Sequence, residues 1–268
     1  MNEASTRVLN TLVHDLFWKS AVDDYMTARW AWFSEQPGIF LWSALQTLEK
    51  LMKCSLLLNG QNVKKDGHKL TTLWAKLNSI CEGILGLVFC PPNEITTPRS
   101  GFFGRFEAYE SFVERIEQNG KPANRYNTYS TLIDDWDLHK LDELTFQLCR
   151  VCVPLGAEVY RELGSYREYL KVDPNFQPNR ISPRRASPQN PTIEQNNNLL
   201  KMHNFSFFRS EAQQQGRLTF RSSARNSPLW MARKSEGFSE AVTWLKENAS
   251  FDKSDQRFLN ELLADNTL

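Results

Sequence analysis

An acidic stretch that contains a histidine is the first part of the chain that could do chemistry. Its members combine oxygen and nitrogen ligands: Asp134, Asp135, Asp137, His139 and Glu143. His139 and Glu143 are four residues apart, so they share one face of a helix and could bind a metal ion together. However, acidic residues at a helix start are favoured by the helix dipole alone, and no second ligand pair follows. We therefore interpret the stretch as a helix start and predict no metal site.

Two further spacings could also support chemistry. Cys149 and Cys152 have redox or zinc spacing, but they lie in an apolar helical pattern without a second cysteine pair, which favours core packing. Arg7 and His14 have the spacing of an arginine that stabilises phosphate and a histidine that moves a proton. We interpret that pair as surface residues of a first amphipathic helix.

Helical periodicity runs from Thr6 to about Lys171 and predicts the elements that would position these side chains. Pro37-Gly38 should separate two helices, and Asn59-Gly60 should end the second one. A third helix should open at His68, a fourth should run from about Arg105 to Gln118, and a long one should begin near Leu132. We expect the long helix to reach Leu155 and to continue towards Tyr169. The prediction is an all-α bundle of five or six helices over residues 1–172.

The helix after Pro37 has two unlike faces. Its apolar stripe repeats at helical spacing through Leu41, Leu45, Leu48 and Met52. Glu49, Lys50 and Lys53 share the opposite side, with Glu49 and Lys53 placed to pair. We expect this helix to pack against several neighbours and to meet water along its charged edge.

The composition changes after residue 172. Residues 173–198 are rich in Pro, Asn and Arg and cannot bury a core, so we predict a disordered linker. Residues 199–234 should form a basic arm with a short hairpin, from strands at 204–208 and 217–221. Residues 172–234 together carry a net charge of +7, against −4 for residues 235–268. Amphipathic helices in 235–268 should form a small docking element.

Residues 41 to 73 carry a family pattern. The run ALQTLEKLMKCSLLLNG, residues 44–60, is followed by a polar turn and by HKLTTL, residues 68–73. This arrangement resembles the HEPN family of helical-bundle domains associated with nucleotides and RNA. Asp24-Tyr25 to Arg29-Trp30 and Asn124-Arg125-Tyr126 also stand in the expected order, and the resemblance covers roughly residues 15 to 165.

The resemblance implies a function without implying catalysis. Many HEPN proteins are metal-independent ribonucleases that use Arg-x(4–6)-His on the last bundle helix. Here that helix supplies Arg150, and no histidine follows within reach. We therefore expect a non-catalytic module that binds RNA or nucleotides, in the bacterial defence or stress systems where such domains recur. We predict no catalytic residue and no cofactor.

In the basic arm, arginines alternate with Phe205, Phe207, Phe208 and Phe220, a composition typical of segments that contact phosphates and stack on bases. The predicted nucleic-acid contacts come from this arm and from the connection at residues 124–126. They are Arg125, Tyr126, Arg180, Arg184, Arg185, Arg217 and Arg221. A solvated tether is an equally good interpretation of the arm. A cytoplasmic location is expected, because the cysteines are scattered, no secretory signal precedes them and no apolar run is long enough to span a membrane.

Two alternatives to RNA binding remain open. One is a protein-interaction adaptor, a homo-oligomer through its helical bundle, whose C-terminal helices dock on a partner. The other is a divergent ribonuclease that combines Arg150 or Arg125 with a histidine such as His139.

Overall fold

The structure, a computed structural model, is mostly helical. It describes residues 2–91, 93, 103–121, 132–160, 164–176, 178, 199–207, 228–251 and 253–265. The helices are α1 Glu3–Val13, α2 Lys19–Phe33, α3 Pro37–Leu58, α4 Leu70–Ile80, α5 Tyr109–Asn119, α6 Asp137–Val151, α7 Tyr166–Val172, α8 Pro228–Ala232, α9 Phe238–Asn248 and α10 Lys253–Asp265. A π-helical turn, His14–Trp18, joins α1 to α2, and strands β1 Glu158–Tyr160 and β2 Gly164–Ser165 form an antiparallel hairpin.

Helix α3 lies at the centre of the bundle and packs against α2, α4, α5 and α6. It begins at Pro37, where a proline has no N–H to leave unpaired. It ends as predicted, because Gly60 adopts a φ of +72°. The Gly60 and Gln61 N–H groups then donate to Leu57 and Leu56 carbonyl oxygens at 3.0 and 2.9 Å, which closes the last turn.

Two of the three residues on the charged edge of α3 are buried. Glu49 and Lys53 form the predicted ion pair at 2.7 Å, but both side chains are buried. The exposed His68 covers them, with its Nδ1 2.9 Å from Glu49 Oε1. The expectation of solvent exposure was wrong for Glu49 and Lys53, because the turn between α3 and α4 folds back over them.

The long helix predicted from residue 132 is shorter and is followed by a hairpin. Helix α6 stops at Val151, since Pro154 has no N–H for the next helical bond and disfavours helical geometry at the residue before it. The chain then forms β1, β2 and the separate helix α7. Seven helices therefore occupy the described residues up to 172, rather than five or six.

The C-terminal helices pack on the bundle. Helix α9 contacts α1, and α10 packs on α9. The turn after α3 satisfies carbonyl groups at the end of α9: Val63 N–H donates to Asn248 O at 2.9 Å, and Lys64 Nζ donates to Lys246 O at 2.9 Å. No helix within the described ranges is both long and apolar enough to cross a bilayer.

The predicted strand at 204–208 is a series of turns over its described residues, 204–207. The second predicted strand, 217–221, lies outside the described residues.

Candidate functional site

A buried arginine joins α2 to α6. Arg29 has no exposed surface, and its Nη1 forms an ion pair with the Asp142 carboxylate. Tyr25, one turn earlier on α2, donates its hydroxyl to the other oxygen of Asp142 at 2.5 Å. Burial raises the pKa of Asp142, and the adjacent guanidinium opposes that rise. The charges of Arg29 and Asp142 balance, so the other N–H groups of Arg29 can donate to uncharged acceptors such as backbone carbonyl oxygens.

Residues 199–207, which we call the strap, supply those acceptors. Arg29 Nε donates to Leu199 O at 2.8 Å, and Nη2 donates to Met202 O. Asn204 is fully buried and donates its side-chain amide to Tyr25 Oη at 2.8 Å. The strap is therefore docked on the bundle at a groove between α2 and α6, through polar contacts that are sensitive to geometry.

Aromatic rings complete this groove. The ring of Phe207 lies 5.9 Å from that of Tyr25 and 5.3 Å from that of Phe146, in tilted and edge-on arrangements. The ring of His203 lies 6.1 Å from that of Phe33. The groove therefore contacts the strap through both hydrogen bonds and aromatic rings.

The acidic stretch is divided among separate partners. Asp137 accepts two hydrogen bonds from Arg115, at 2.6 and 2.8 Å. Arg115 also donates to Glu107, which accepts from Lys140 Nζ at 2.6 Å. All four side chains are buried, and their two positive and two negative charges balance. This network connects α5 to α6 and leaves no net charge to attract an ion.

Two other members of the stretch, Asp134 and Glu143, also have structural partners. Asp134 accepts the Trp136 N–H at 3.0 Å and the Phe103 N–H at 2.9 Å. Glu143 accepts the Tyr109 hydroxyl at 2.8 Å and the Cys90 N–H at 3.1 Å. Among the described residues, no group of three or more His, Cys, Asp or Glu side chains could hold a metal ion.

The cysteine pair lies in the core. Cys149 and Cys152 are buried, which confirms the core-packing interpretation, and burial raises the pKa of both thiols. Arg7 is exposed and pairs with Glu3 on α1. His14 is half-buried and stacks on Trp18, with ring centroids 4.6 Å apart.

Arg150 caps the end of α7. It is buried, and its Nη2 donates to the carbonyl oxygens of Leu170 and Asp173 at 2.7 and 3.1 Å. His139 lies three turns away on the same helix, about 16 Å along the axis at 1.5 Å per residue. The two side chains are thus too far apart to act together on one phosphate group.

Helix α8 and the residue that follows it present an aromatic ring and a cation at the surface. Trp230 is 44% exposed, and the Arg233 guanidinium lies 3.6 Å from the centre of its ring. Arg233 Nη1 also donates to Trp230 O at 2.7 Å, which fixes the guanidinium over the indole. Lys234 follows, so this described part of the basic arm combines positive charge with an exposed aromatic face.

The predicted nucleic-acid-binding residues all lie outside the described residues. They are Arg125, Tyr126, Arg180, Arg184, Arg185, Arg217 and Arg221. The sequence analysis missed the Arg29 cluster and the Trp230 stack as sites. Tyr25 and Arg29 are spaced to lie on one face of α2, yet the partner Asp142 is 113 residues away from Arg29, and no local pattern indicates it.

Comparison with known proteins adds no relative. No protein-family model matches the chain, and no curated protein or solved structure shows significant similarity to it.

Proposed function

We propose that this protein is a non-catalytic HEPN-like module that binds single-stranded RNA or nucleotides through its basic arm. The mostly helical bundle and the order of the motifs in residues 15 to 165 support the HEPN-like assignment. The observation that best supports binding is the exposed Trp230 ring, which lies beneath the Arg233 guanidinium. Bases stack on such rings whatever their sequence, and nearby cations contact the phosphates.

The role of Arg150 supports binding without cleavage. Its guanidinium donates to the carbonyl oxygens of Leu170 and Asp173 at the end of α7, and His139 is three turns away. A ribonuclease would need both groups at one phosphate. The adaptor alternative lacks a comparable observation, because the apolar residues Phe238 and Leu245 of α9 are buried within this chain.

The test is the affinity of the full chain for fluorescently labelled single-stranded RNA across a salt series. Truncation before the strap would uncover the buried Arg29, so point variants are the better probe. We expect Trp230→Ala to weaken binding about 5-fold to 150-fold, the effect of losing one base stack of about 1–3 kcal/mol. Arg233→Ala should weaken binding and reduce its salt dependence.

Two exposed residues provide matched controls. Met231→Ala alters α8 beside Trp230, and Arg257→Ala removes an exposed arginine from α10. Neither should change the affinity. Equal affinity of Trp230→Ala and the unaltered protein would exclude α8 as the binding surface, and cleavage of the RNA by the purified chain would overturn the non-catalytic assignment.

A further inference from the structure

A surface groove, which we call the α1 groove, lies between α1 and the connection from α8 to α9. It consists of two adjoining cavities, of about 310 and 570 Å³, which share Ser235 and Glu236. The larger cavity reaches Asn2 at the start of α1, and the smaller one extends along α1 to Thr11. At 1.5 Å per residue, the helix rises about 14 Å between these two positions. A strand of a duplex carries one phosphate per about 3.4 Å of axis, so even a strand stretched to twice that spacing would place two phosphates in the groove.

Cations from two elements line the α1 groove. Arg233 and Lys234 line the larger cavity, and Arg7 of α1 lines the smaller one. Because Arg233 also lies over Trp230, the groove begins beside the ring that can stack on a base. The Arg7 side chain is 78% exposed, and its ion pair with the exposed Glu3 contributes little in water. A phosphate group can therefore replace Glu3 as the partner of Arg7.

Two carboxylates also line the α1 groove. Glu240 accepts a hydrogen bond from the Ser5 hydroxyl, which directs this carboxylate towards α1. Glu236 is exposed and lies where the two cavities adjoin. The three cations outnumber the two carboxylates, so the residues that line the groove carry a net positive charge.

We propose that the α1 groove binds the phosphate backbone of single-stranded RNA, with Arg7 as a phosphate contact supplied by the helical bundle. This inference rests on the proposed function and extends the binding surface from the basic arm to α1. A base stacked on Trp230 places a neighbouring phosphate beside Arg233, and the strand then passes Lys234 towards Arg7. Contacts to phosphates carry no sequence information, so the groove adds affinity without sequence preference.

The test measures the affinity of the full chain for a labelled single-stranded oligouridylate across a salt series. One phosphate contact to a single strand contributes about 0.7 to the slope of log K against log salt, which corresponds to about fivefold in affinity between 1 M and 0.1 M salt. Arg7→Ala should therefore weaken binding about fivefold at 0.1 M salt and reduce the slope by about 0.7. Arg7→Lys keeps the positive charge and should retain the slope.

Arg257→Ala is the matched control for Arg7→Ala. Both arginines are exposed and form an ion pair at 3.1 Å with a glutamate four residues away on the same helix, but Arg257 belongs to α10. Its replacement should leave the affinity unchanged. Glu236→Gln should strengthen binding about twofold, because it removes a negative charge from the path of the phosphates.

The outcomes separate this proposal from the proposed function. Weaker binding by Trp230→Ala together with unchanged binding by Arg7→Ala would overturn the α1 groove and leave the proposed function intact. No RNA binding, or unchanged affinity in both variants, would overturn both. Equal losses in Arg7→Ala and Arg257→Ala would overturn the groove alone, because affinity would then follow the net charge of the chain.

Discussion

Gly237, the residue before α9, lies against Ser5 of α1, and its replacement by alanine tests how tightly the C-terminal helices are docked. Its φ is +81°, and an added Cβ would lie 2.5 Å from Ser5 Cα and 2.7 Å from Ser5 Oγ. Left-handed geometry costs an L-residue about 1–2 kcal/mol, and overpacking costs about 1–3 kcal/mol more. We therefore expect Gly237→Ala to lower the free energy of unfolding by about 2–5 kcal/mol.

Two other glycines separate the contributions. Gly60 has a φ of +72° and nothing within 4 Å of an added Cβ, so Gly60→Ala should cost only the strain of about 1–2 kcal/mol. Gly120 has an ordinary φ of −84°, but its Cβ would lie 2.6 Å from Leu41 O. Gly120→Ala should therefore cost only the overlap, about 1–3 kcal/mol.

Urea unfolding followed by circular dichroism and tryptophan fluorescence measures all three variants, and Trp244 on α9 reports on the docking itself. Hydrogen exchange in Gly237→Ala should show that α1 and α9 lose protection before α3 does. If Gly237→Ala destabilised the protein no more than Gly60→Ala, the close approach to Ser5 would contribute nothing and this reasoning would be refuted.

Two further predictions concern buried charges. Glu107→Gln should lower the free energy of unfolding by about 3–5 kcal/mol, because Arg115 and Lys140 would then share one carboxylate. Adding Lys140→Met should recover part of that loss. Fully additive effects of the two substitutions in a double-mutant cycle would contradict the network. Arg150→Met should lower the free energy of unfolding in urea by about 3 kcal/mol, because the carbonyl groups at the end of α7 lose their donor. Replacement of the exposed Arg257 by Met should change little, and no loss in Arg150→Met would refute the capping role.

The helices themselves were predictable. Apolar residues at helical spacing identified the cores of α3, α4 and α5, and Asn59-Gly60 marked the end of α3 correctly. Pro154 also indicates an end to α6, although the apolar pattern continues past it. The hairpin of β1 and β2 had no such signal, since its strands are too short for a period of two to develop.

Charged residues within helices were the least predictable feature. Glu49 and Lys53 form the predicted pair, yet they are buried because a turn that follows α3 covers them. Lys140 and Arg150 also occupy buried positions on α6 that periodicity alone would assign to water or leave undecided. Lys140 and Arg150 can be buried because acceptors from other parts of the chain, Glu107 and the carbonyl groups at the end of α7, hydrogen-bond their charged groups.

The sequence by itself determined the helical class, most helix positions and the charge contrast between the basic arm and the rest of the chain. These properties are local, since backbone hydrogen bonds and side-chain spacing act within one or two turns. The tertiary structure alone decided that Arg29 holds the strap, that Arg150 caps α7 and that α9 packs on α1. Those outcomes depend on which surfaces meet, and groups such as Arg29 and Asp142 are brought together by the packing of the whole bundle rather than by any pattern near either residue.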